Sequence, residues 1–350
     1  MTLDLDRHAT WREINAQPAI WRDWGATFDA AGLRAWVAGL DVSEVWFCGA
    51  GSSAYIGDIL VAALEGRAMG LRAVPTTYLV SRPTAYLPGP PKLIVNFGRS
   101  GNSAETIGML DALDALAPDW PRLNITCNPT SALATRAGKT VILPEAAHDA
   151  GFAMTSSFTT MFLTALAIFD GSFAQGHWFA LANAAETAMP GLEAHALLAR
   201  RPERAVFVGA GPLAFAAREA ALKVMELSAG QIPALWDSTL GFRHGPKSFV
   251  RGATDIWVFM SADPHAARYD ADLVAELRAQ FPGSVVTAVG PGGDVDLPTD
   301  AWNAVLPVLL AQVLAVTWSD SLGLSVDDPF AGLGTLSRVV SGVTLYPVMP

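Results

Sequence analysis

Residues 45–54 read Val45-Trp46-Phe47-Cys48-Gly49-Ala50-Gly51-Ser52-Ser53-Ala54. A short apolar run here reaches a Gly-x-Gly loop that opens into a helix-like stretch, which is how an α/β fold presents backbone N–H groups to an anion. The pattern recurs 160 positions later as Ala205-Val206-Phe207-Val208-Gly209-Ala210-Gly211-Pro212-Leu213-Ala214. The repeat predicts a duplicated α/β unit. Because only the first copy keeps two serines after its glycines, we expect only that copy to hold a phosphate.

Length and composition fit two globular domains. The chain has 350 residues, of which 51% are hydrophobic and 16% are charged, and a folded protein of this size usually forms more than one domain. Its formal net charge of −10 argues against nucleic acid as a partner, since such a surface needs a basic patch. The most apolar stretch, 304–318, contains Gln312 and is shorter than the roughly 20 residues that cross a bilayer. We therefore expect a buried helix there and no membrane partner.

The cysteines and the N-terminus indicate a cytoplasmic protein, and two other features of the sequence argue against a metal or an NAD cofactor. Cys48 and Cys127 lie in apolar strand-like runs, which is typical of buried thiols rather than of a disulfide. The acidic stretch 1–6 contains no apolar signal segment. The histidines show no ligand spacing with each other or with cysteine, so we expect no metal. The run 73–79 lacks the acidic residue that would bind the ribose of NAD, so the sequence predicts no cofactor.

Strand-like and helix-like segments alternate along the chain after residue 40. The sequence predicts an N-terminal helical segment at 1–40, a first domain at 41–190 and a second at 200–350, with a linker near 187–204, where Pro190 falls. Such alternation predicts α/β domains with doubly wound, flavodoxin-like parallel sheets. Strands are predicted at 45–48, 73–79, 92–97, 122–127, 140–143, 205–208, 255–260 and 284–289. Helices are predicted at 53–66, 103–116, 131–137, 213–229 and 267–280.

A second glycine-rich and hydroxyl-rich loop follows the run 92–97, and it reads Gly98-Arg99-Ser100-Gly101-Asn102-Ser103. Ligands of a doubly wound sheet bind at the carboxyl ends of the strands, so this loop and the first one could surround a single phosphate. A turn with Ser103 as a helix N-cap explains the loop equally well, and Arg99 could also point to solvent. The candidate phosphate-binding residues are Gly51, Ser52, Ser53, Arg99, Ser100, Asn102 and Ser103.

The two loops belong to a larger set of motifs, which includes 155–161 (Thr-Ser-Ser-Phe-Thr-Thr-Met), 218–227 (Arg-Glu-Ala-Ala-Leu-Lys-Val-Met-Glu-Leu) and 237–248 (Asp-Ser-Thr-Leu-Gly-Phe-Arg-His-Gly-Pro-Lys-Ser). Together they resemble a pair of sugar isomerase (SIS) domains. The set is similar to the isomerase half of glucosamine-6-phosphate synthase, and more similar to the galactosamine-6-phosphate deaminase/isomerase family, also described as tagatose-6-phosphate ketose/aldose isomerases. The resemblance implies two tandem SIS domains, a cytoplasmic enzyme acting on hexosamine 6-phosphates, and a phosphate site in the first domain that also includes Ser156.

The resemblance also implies roles for residues of the second domain. Glu226 would move a proton between C2 and C1 of the sugar, and His244 would assist ring opening across the interface of a homodimer. Arg243, a candidate substrate-binding residue, could contact substrate oxygens or the partner chain, or lie in water. From spacing alone, Glu219, Lys223 and Glu226 fall on one helix face, which is also typical of a solvated salt-bridged stripe. A histidine in a Gly/Pro-rich loop suits proton transfer near neutral pH.

The chain departs from the family pattern at two places. Gly98 stands where many relatives carry a serine. The synthase has a C-terminal lysine that forms an imine with the sugar, whereas the last lysine here is Lys247 and Arg338 lies in the matching region. How ring opening begins without that lysine stays open.

Three functional hypotheses follow. The favoured one is an isomerising deaminase that converts an amino-hexose 6-phosphate, with galactosamine 6-phosphate preferred, to a ketohexose 6-phosphate and ammonia. Because water would release that ammonia from an imine, we also expect the enzyme to class as a hydrolase. The alternatives are a phosphosugar ketose/aldose isomerase that releases no ammonia, and a non-catalytic sugar-phosphate sensor. A sensor would need neither Glu226 nor His244.

Overall fold

The computed structural model describes residues 4–66, 69–136, 138–299 and 301–348, and it contains two parallel β-sheets. The strands are β1 Glu44–Cys48, β2 Gly70–Ala73, β3 Leu93–Gly98, β4 Arg122–Thr126, β5 Lys139–Ile142, β6 Arg204–Gly209, β7 Ala234–Ser238, β8 Thr254–Phe259 and β9 Val285–Val289. The α-helices are α1 Ala9–Thr27, α2 Ala30–Ala38, α3 Ser52–Ala63, α4 Thr76–Ser81, α5 Pro83–Tyr86, α6 Ala104–Leu116, α7 Ala132–Thr135, α8 Ser156–Phe169, α9 Gly176–Leu198, α10 Pro212–Leu227, α11 Ala266–Gln280 and α12 Val305–Ser321.

The strand order explains why the two glycine loops of the first half are neighbours. The first sheet has the order β2-β1-β3-β4-β5 and the second has the order β7-β6-β8-β9, with every adjacent pair parallel. The first order is that of the flavodoxin-like fold, in which ligands bind at the carboxyl ends of the strands beside the switch point. Cys48 of β1 pairs with Asn96 of β3, so the loops that follow these two strands leave the same sheet edge. The prediction of two doubly wound parallel sheets is confirmed.

The chain divides into two compact units, neither of which is a continuous stretch of sequence. The first-sheet unit comprises Asp23–Asp149, Ser156–Ala174 and Leu333–Pro350. The second-sheet unit comprises Met1–Arg22, Ala150–Thr155 and Gln175–Gly332. The segment after Gly332 therefore belongs with the first sheet, although it follows the second sheet in the sequence. The predicted domain bounds (1–40, 41–190 and 200–350) follow sequence order and stay a prediction.

Each unit has its own apolar core. In the first-sheet unit, Trp46, Ile94, Leu113 and Trp120 are buried in one cluster, and the rings of Trp46 and Trp120 meet edge to face with centroids 5.7 Å apart. In the second-sheet unit, residues of β6 and β8 pack against Phe242 and against the inner face of α11. Such burial of large apolar side chains is the main favourable contribution to folding.

The buried helix predicted at 304–318 is α12, whose residues from Val305 to Ser319 are all buried. The segment Trp302–Ser321 has the length and hydropathy of a membrane span, and 89% of its most apolar window is packed inside the protein. Its one amide side chain, Gln312, accepts a hydrogen bond from Nε2 of buried Gln17 at 2.7 Å. A polar group inside a core is tolerated when it has such a partner.

The structure differs from the sequence predictions at several places. The run 73–79 is not a strand, because β2 ends at Ala73 and α4 begins at Thr76; a short apolar run does not distinguish a strand from a buried helix. The linker near 187–204 lies mostly within α9, which continues through Pro190. Strand β7 was not predicted. It ends in Asp237 and Ser238, so its apolar part is short.

Candidate functional site

The first glycine loop has the backbone that its sequence predicts. Gly51 precedes α3 with φ of +57°, a conformation that favours glycine. A Cβ atom on Gly49 would lie 2.4 Å from the carbonyl carbon of Ser53, so the strand passes the helix too closely for any side chain. Ser52 and Ser53 occupy the first turn of α3 and are each only 4% exposed. Gly211 repeats the backbone with φ of +54°, which supports the duplication.

The second glycine loop uses several of its polar groups to organise itself. Ser103 is the N-cap of α6, because its Oγ accepts a hydrogen bond from the Thr106 N–H at 3.3 Å. Asn102 Oδ1 accepts from the Ala132 N–H at 2.8 Å, and Ser100 Oγ accepts from the Asn102 N–H at 3.3 Å. The N-cap prediction for Ser103 is confirmed. Since the Asn102 oxygen is an acceptor here, its NH₂ group is the part that can donate to an anion.

Arg99 is buried rather than solvated, with 6% of its surface exposed. Its Nη2 donates to the backbone carbonyl of Arg338 at 3.2 Å. Arg338 in turn donates from Nη2 to the carbonyl oxygen of Asp149. A guanidinium that is held in this way within the second glycine loop is a fixed positive charge, which favours the binding of a phosphate.

The C-terminal segment covers part of the second glycine loop. The carbonyl oxygen of Val340 accepts from the N–H of Ala104, the first residue of α6, at 3.3 Å. Farther along, Leu345 contacts α6 at Gly108, and Val348 packs against the core of the first-sheet unit. The N–H groups of the first turn of a helix are the ones that can bind anions. In α6, those of Ala104 and Thr106 have protein partners. Sequence reasoning assigned this segment to the second domain and missed the contact.

Ser156 lies at the buried N-terminus of α8, where a carboxylate is already present. Asp149, fully buried, accepts from the N–H of Ser156 at 2.8 Å (Oδ1) and from the N–H of Ser157 at 3.1 Å (Oδ2). Sequence reasoning did not identify Asp149, which lies seven residues before the helix. Nearby, burial together with the charges of Arg338 and Arg99 lowers the pKa of His148.

Glu226 lies on α10, beside a completely buried lysine. Lys223 Nζ is 2.5 Å from Glu226 Oε2 and 3.3 Å from Glu219 Oε1. The side chains of Glu219 and Lys223 have no exposure, while that of Glu226 is 23% exposed. Burial lowers the pKa of Lys223, but the two carboxylates outweigh this effect and raise it. The alternative of a solvated stripe is therefore wrong: helical spacing is the same for a buried triad as for an exposed one.

His244 is exposed between two 3₁₀ turns, Gly241–Arg243 and Gly245–Phe249, and its N–H donates to the Gly241 carbonyl at 3.1 Å. Arg243 Nε lies 3.1 Å from Glu276 Oε2, and Lys247 Nζ binds the other oxygen of Glu276. Arg243 is thus ion-paired within its own unit. Sequence reasoning did not single out Glu276, because nothing in the pattern of α11 sets it apart.

The candidate residues divide between the two units. The first-sheet unit holds Gly51, Ser52, Ser53, Arg99, Ser100, Asn102, Ser103 and Ser156. The second-sheet unit holds Glu226, Arg243 and His244. Within the described ranges, no group of three or more His, Cys, Asp or Glu side chains has the arrangement of a metal site.

Comparisons with known proteins agree on one family. The SIS domain family model matches residues 41–170. An AgaS protein of Streptomyces coelicolor is 41% identical, over 99% of this chain and 97% of its own length. The D-galactosamine-6-phosphate deaminase AgaS of Shewanella sp. strain ANA-3 is 37% identical, over 97% of this chain and 92% of its own length. The crystal structure of tagatose-6-phosphate ketose/aldose isomerase from Escherichia coli matches with a TM-score of 0.83 and 33% identity, over 97% of this chain and 96% of that one.

These matches correct one expectation. The relatives are named as a deaminase and an isomerase, so the expectation that the protein classes as a hydrolase is wrong. The physical reason is that the carbon–nitrogen bond of an amino sugar becomes labile only after C2 has been oxidised at the expense of C1. That internal transfer is isomerase chemistry.

Proposed function

The chain belongs to the SIS-domain family of AgaS D-galactosamine-6-phosphate deaminases, and we propose on this basis that it converts an amino-hexose 6-phosphate to a ketohexose 6-phosphate and ammonia. Galactosamine 6-phosphate is the favoured substrate because the Shewanella relative is a D-galactosamine-6-phosphate deaminase. The observation that carries the proposal is the partly exposed carboxylate of Glu226, fixed by fully buried Lys223. A carboxylate of this kind is a suitable acid–base group for an aldose–ketose conversion.

The phosphate is assigned to the two glycine loops of the first-sheet unit. Gly51 and Gly101, both with positive φ, allow the backbone to approach a ligand closely. The hydroxyls of Ser52 and Ser53, the NH₂ group of Asn102 and the guanidinium of Arg99 supply donors, and Ser100, Ser103 and Ser156 complete the proposed set. Support comes from the shared sheet edge of β1 and β3, which places both loops at the ligand-binding end of the sheet.

The proposed chemistry begins on the open-chain aldose. The Glu226 carboxylate takes the proton from C2, and the electron pair of that C–H bond forms a C1=C2 double bond. The electron pair of the C1 carbonyl moves to O1, which takes a proton from water, so that C1 carries an enol. Glu226 then returns the proton to C1, and the nitrogen on C2 becomes an imine. Water adds to C2 and ammonia leaves, which gives the C2 ketone. C2 is oxidised and C1 is reduced, so the step needs no external electron acceptor.

His244 is assigned to ring opening, as the acid–base group at the ring oxygen. Its exposure and its short, two-turn loop fit a role at a ligand or a subunit interface, and we propose a homodimer in which His244 reaches the site of the partner copy, beside Arg243. Cys48 and Cys127 are free and buried, which fits the reducing cytoplasm.

The test is a coupled assay for ammonia release, run in parallel on galactosamine 6-phosphate and glucosamine 6-phosphate. We expect ammonia from the galacto sugar, and its loss in Glu226→Gln with binding of substrate retained in a thermal-shift assay. Glu186→Gln is the matched control, since it removes another ion-paired carboxylate of the second-sheet unit. Ketose formation without ammonia would favour the isomerase alternative. No reaction with either sugar, from folded protein that binds both, would overturn the proposal in favour of the sensor.

A further inference from the structure

Helix α11 holds the His244 loop at successive positions along its length. At the start of the loop, Thr239 Oγ1 donates to Oδ1 of Asp270 at 2.5 Å. In the middle, Phe242 is completely buried in the same apolar cluster as Leu273 and Leu277 of α11. These two contacts anchor the loop up to the residue before Arg243.

Glu276 provides a third contact, and it spans the histidine. One of its oxygens, Oε2, lies 3.1 Å from Arg243 Nε, and the other, Oε1, binds Lys247 Nζ. The two cations stand one residue before and three residues after His244. Gln280, one turn farther along α11, accepts from the same Lys247 Nζ at 3.2 Å. A single carboxylate therefore ties both sides of the exposed turn to a packed helix.

The charge balance of this contact is also specific. Two cationic side chains share the one carboxylate of Glu276, whose side chain is 26% exposed, so it is partly desolvated. Isolated surface ion pairs contribute little, whereas several charges that form one network contribute more. His244 is exposed and its backbone N–H donates to the Gly241 carbonyl, so the direction of the imidazole depends on the loop backbone that Arg243 and Lys247 hold.

We propose that Glu276 is a positioning residue for ring opening: it fixes the His244 loop through Arg243 and Lys247. The proposal rests on the assignment of His244 to ring opening made above. It adds a residue that touches neither substrate nor product and acts through the loop. A misplacement of about 1 Å is enough to lower a catalytic rate on the order of 100-fold.

The test compares a substrate that must open its ring with one that cannot form a ring. Glu276→Gln keeps the shape of the side chain but removes its charge, and Glu276→Asp keeps the charge on a shorter stem. Each is measured on galactosamine 6-phosphate and on an acyclic analogue that lacks the hydroxyls at C4 and C5. Glu186→Gln again serves as the control, because Glu186 is ion-paired with Arg22 elsewhere in the unit.

We expect Glu276→Gln to lower kcat on the cyclic substrate by about 10- to 100-fold while its KM stays close to the wild-type value. Turnover of the acyclic analogue should stay near that of the wild type. Glu276→Asp should recover part of the loss. In the His244→Ala background, the same substitution should add no further loss, because residues that act as one unit are not additive.

Wild-type kcat in Glu276→Gln, while His244→Ala is impaired, would overturn this proposal alone. An equal loss on the cyclic and the acyclic compound, or a fully additive loss in the double variant, would also overturn it, since a general structural effect gives both results. Wild-type activity in His244→Ala would overturn the assignment of His244, and this proposal with it. Thermal denaturation of each variant shows whether the fold is retained. We expect it to be retained, because the burial of Phe242 and the hydrogen bond between Thr239 and Asp270 still hold the loop on α11.

Discussion

Lys223 Nζ lies 2.5 Å from Glu226 Oε2, and the lysine is completely buried while the glutamate reaches the surface. The same ammonium lies 3.3 Å from Glu219 Oε1, which is also buried. A buried cation is tolerated only when it is paired. The ion pair of Lys223 with Glu226 therefore both stabilises α10 and fixes the position of the carboxylate that we assign to proton transfer.

Replacing Lys223 should therefore cost stability as well as activity. Lys223→Met leaves buried Glu219 without its cation, and we expect the free energy of unfolding to fall by about 3–5 kcal/mol, as measured by urea denaturation. The double variant Glu219→Gln/Lys223→Met also removes the buried negative charge of Glu219 and should recover part of that loss. Wild-type stability of Lys223→Met would contradict the pairing.

The two glycines of the first loop should respond differently to alanine. Gly51→Ala meets no atom within 4 Å but must adopt φ of +57° with ψ of −134°, a sparsely populated backbone conformation that costs roughly 1–3 kcal/mol. Gly49→Ala would place its Cβ 2.4 Å from the backbone of Ser53, so strand and helix must move apart. Thermal denaturation should show the larger loss for Gly49→Ala. Equal losses would mean that the close approach of strand and helix is not maintained in solution.

Substitutions at Ser103 can separate capping from phosphate binding. Ser103→Ala removes the acceptor for the Thr106 N–H and should cost about 1 kcal/mol of stability. Ser103→Asp restores an N-cap but places a negative charge beside the proposed phosphate. We expect near wild-type unfolding with a strongly raised KM for Ser103→Asp, measured in the ammonia assay. An unchanged KM would remove Ser103 from the phosphate site.

Asp255 predicts a specific pH dependence of stability. Burial raises the pKa of this β8 carboxyl to about 6, partly opposed by Arg200. Because the folded-state pKa is higher than that of the unfolded chain, the folded protein favours the protonated form, and stability is lost as pH rises from about 4 to 6. Asp255→Asn should therefore be more stable than the wild type above pH 6, by up to about 3 kcal/mol.

The measurement for Asp255 is urea unfolding of both proteins at several pH values between 4 and 8. The stability difference should grow through the window between the two pKa values and be constant above it. A stability difference that does not change with pH would show that the Asp255 carboxyl is ionised in the folded protein throughout this pH range. Other interactions would then offset the cost of burying its charge.

Sequence patterns were sufficient where the chemistry is local. Glycines directly after an apolar strand indicate a loop at the end of that strand. The loops at Gly49–Ser53 and Gly98–Ser103 were therefore predicted in the right places, as was the N-cap at Ser103. The run 73–79 failed because apolar residues without a period fit either a strand or a buried helix. Pro190 failed as a boundary because α9 continues through it.

The long-range contacts were beyond reach for a different reason. The spacing of Glu219, Lys223 and Glu226 is identical whether their helix face is solvated or covered, so burial of the triad depends on distant elements. Nothing near Glu276 distinguishes it from other glutamates on an amphipathic helix. The contact of Val340 with the first turn of α6 joins residues far apart in the chain, and no local signal marks it.

The discontinuous make-up of both units has a consequence for biosynthesis. The first-sheet unit needs Leu333–Pro350, and the second-sheet unit needs the first 22 residues together with everything from Gln175 to Gly332. A growing chain therefore has neither unit complete while most of it is being made, even though β1 to β5 emerge early. Until the last of these residues is made, the surface that Leu345 and Val348 cover in the folded protein stays open, and exposed apolar groups favour aggregation. The protein is therefore expected to depend on chaperones during translation more than a chain whose domains follow one another in sequence.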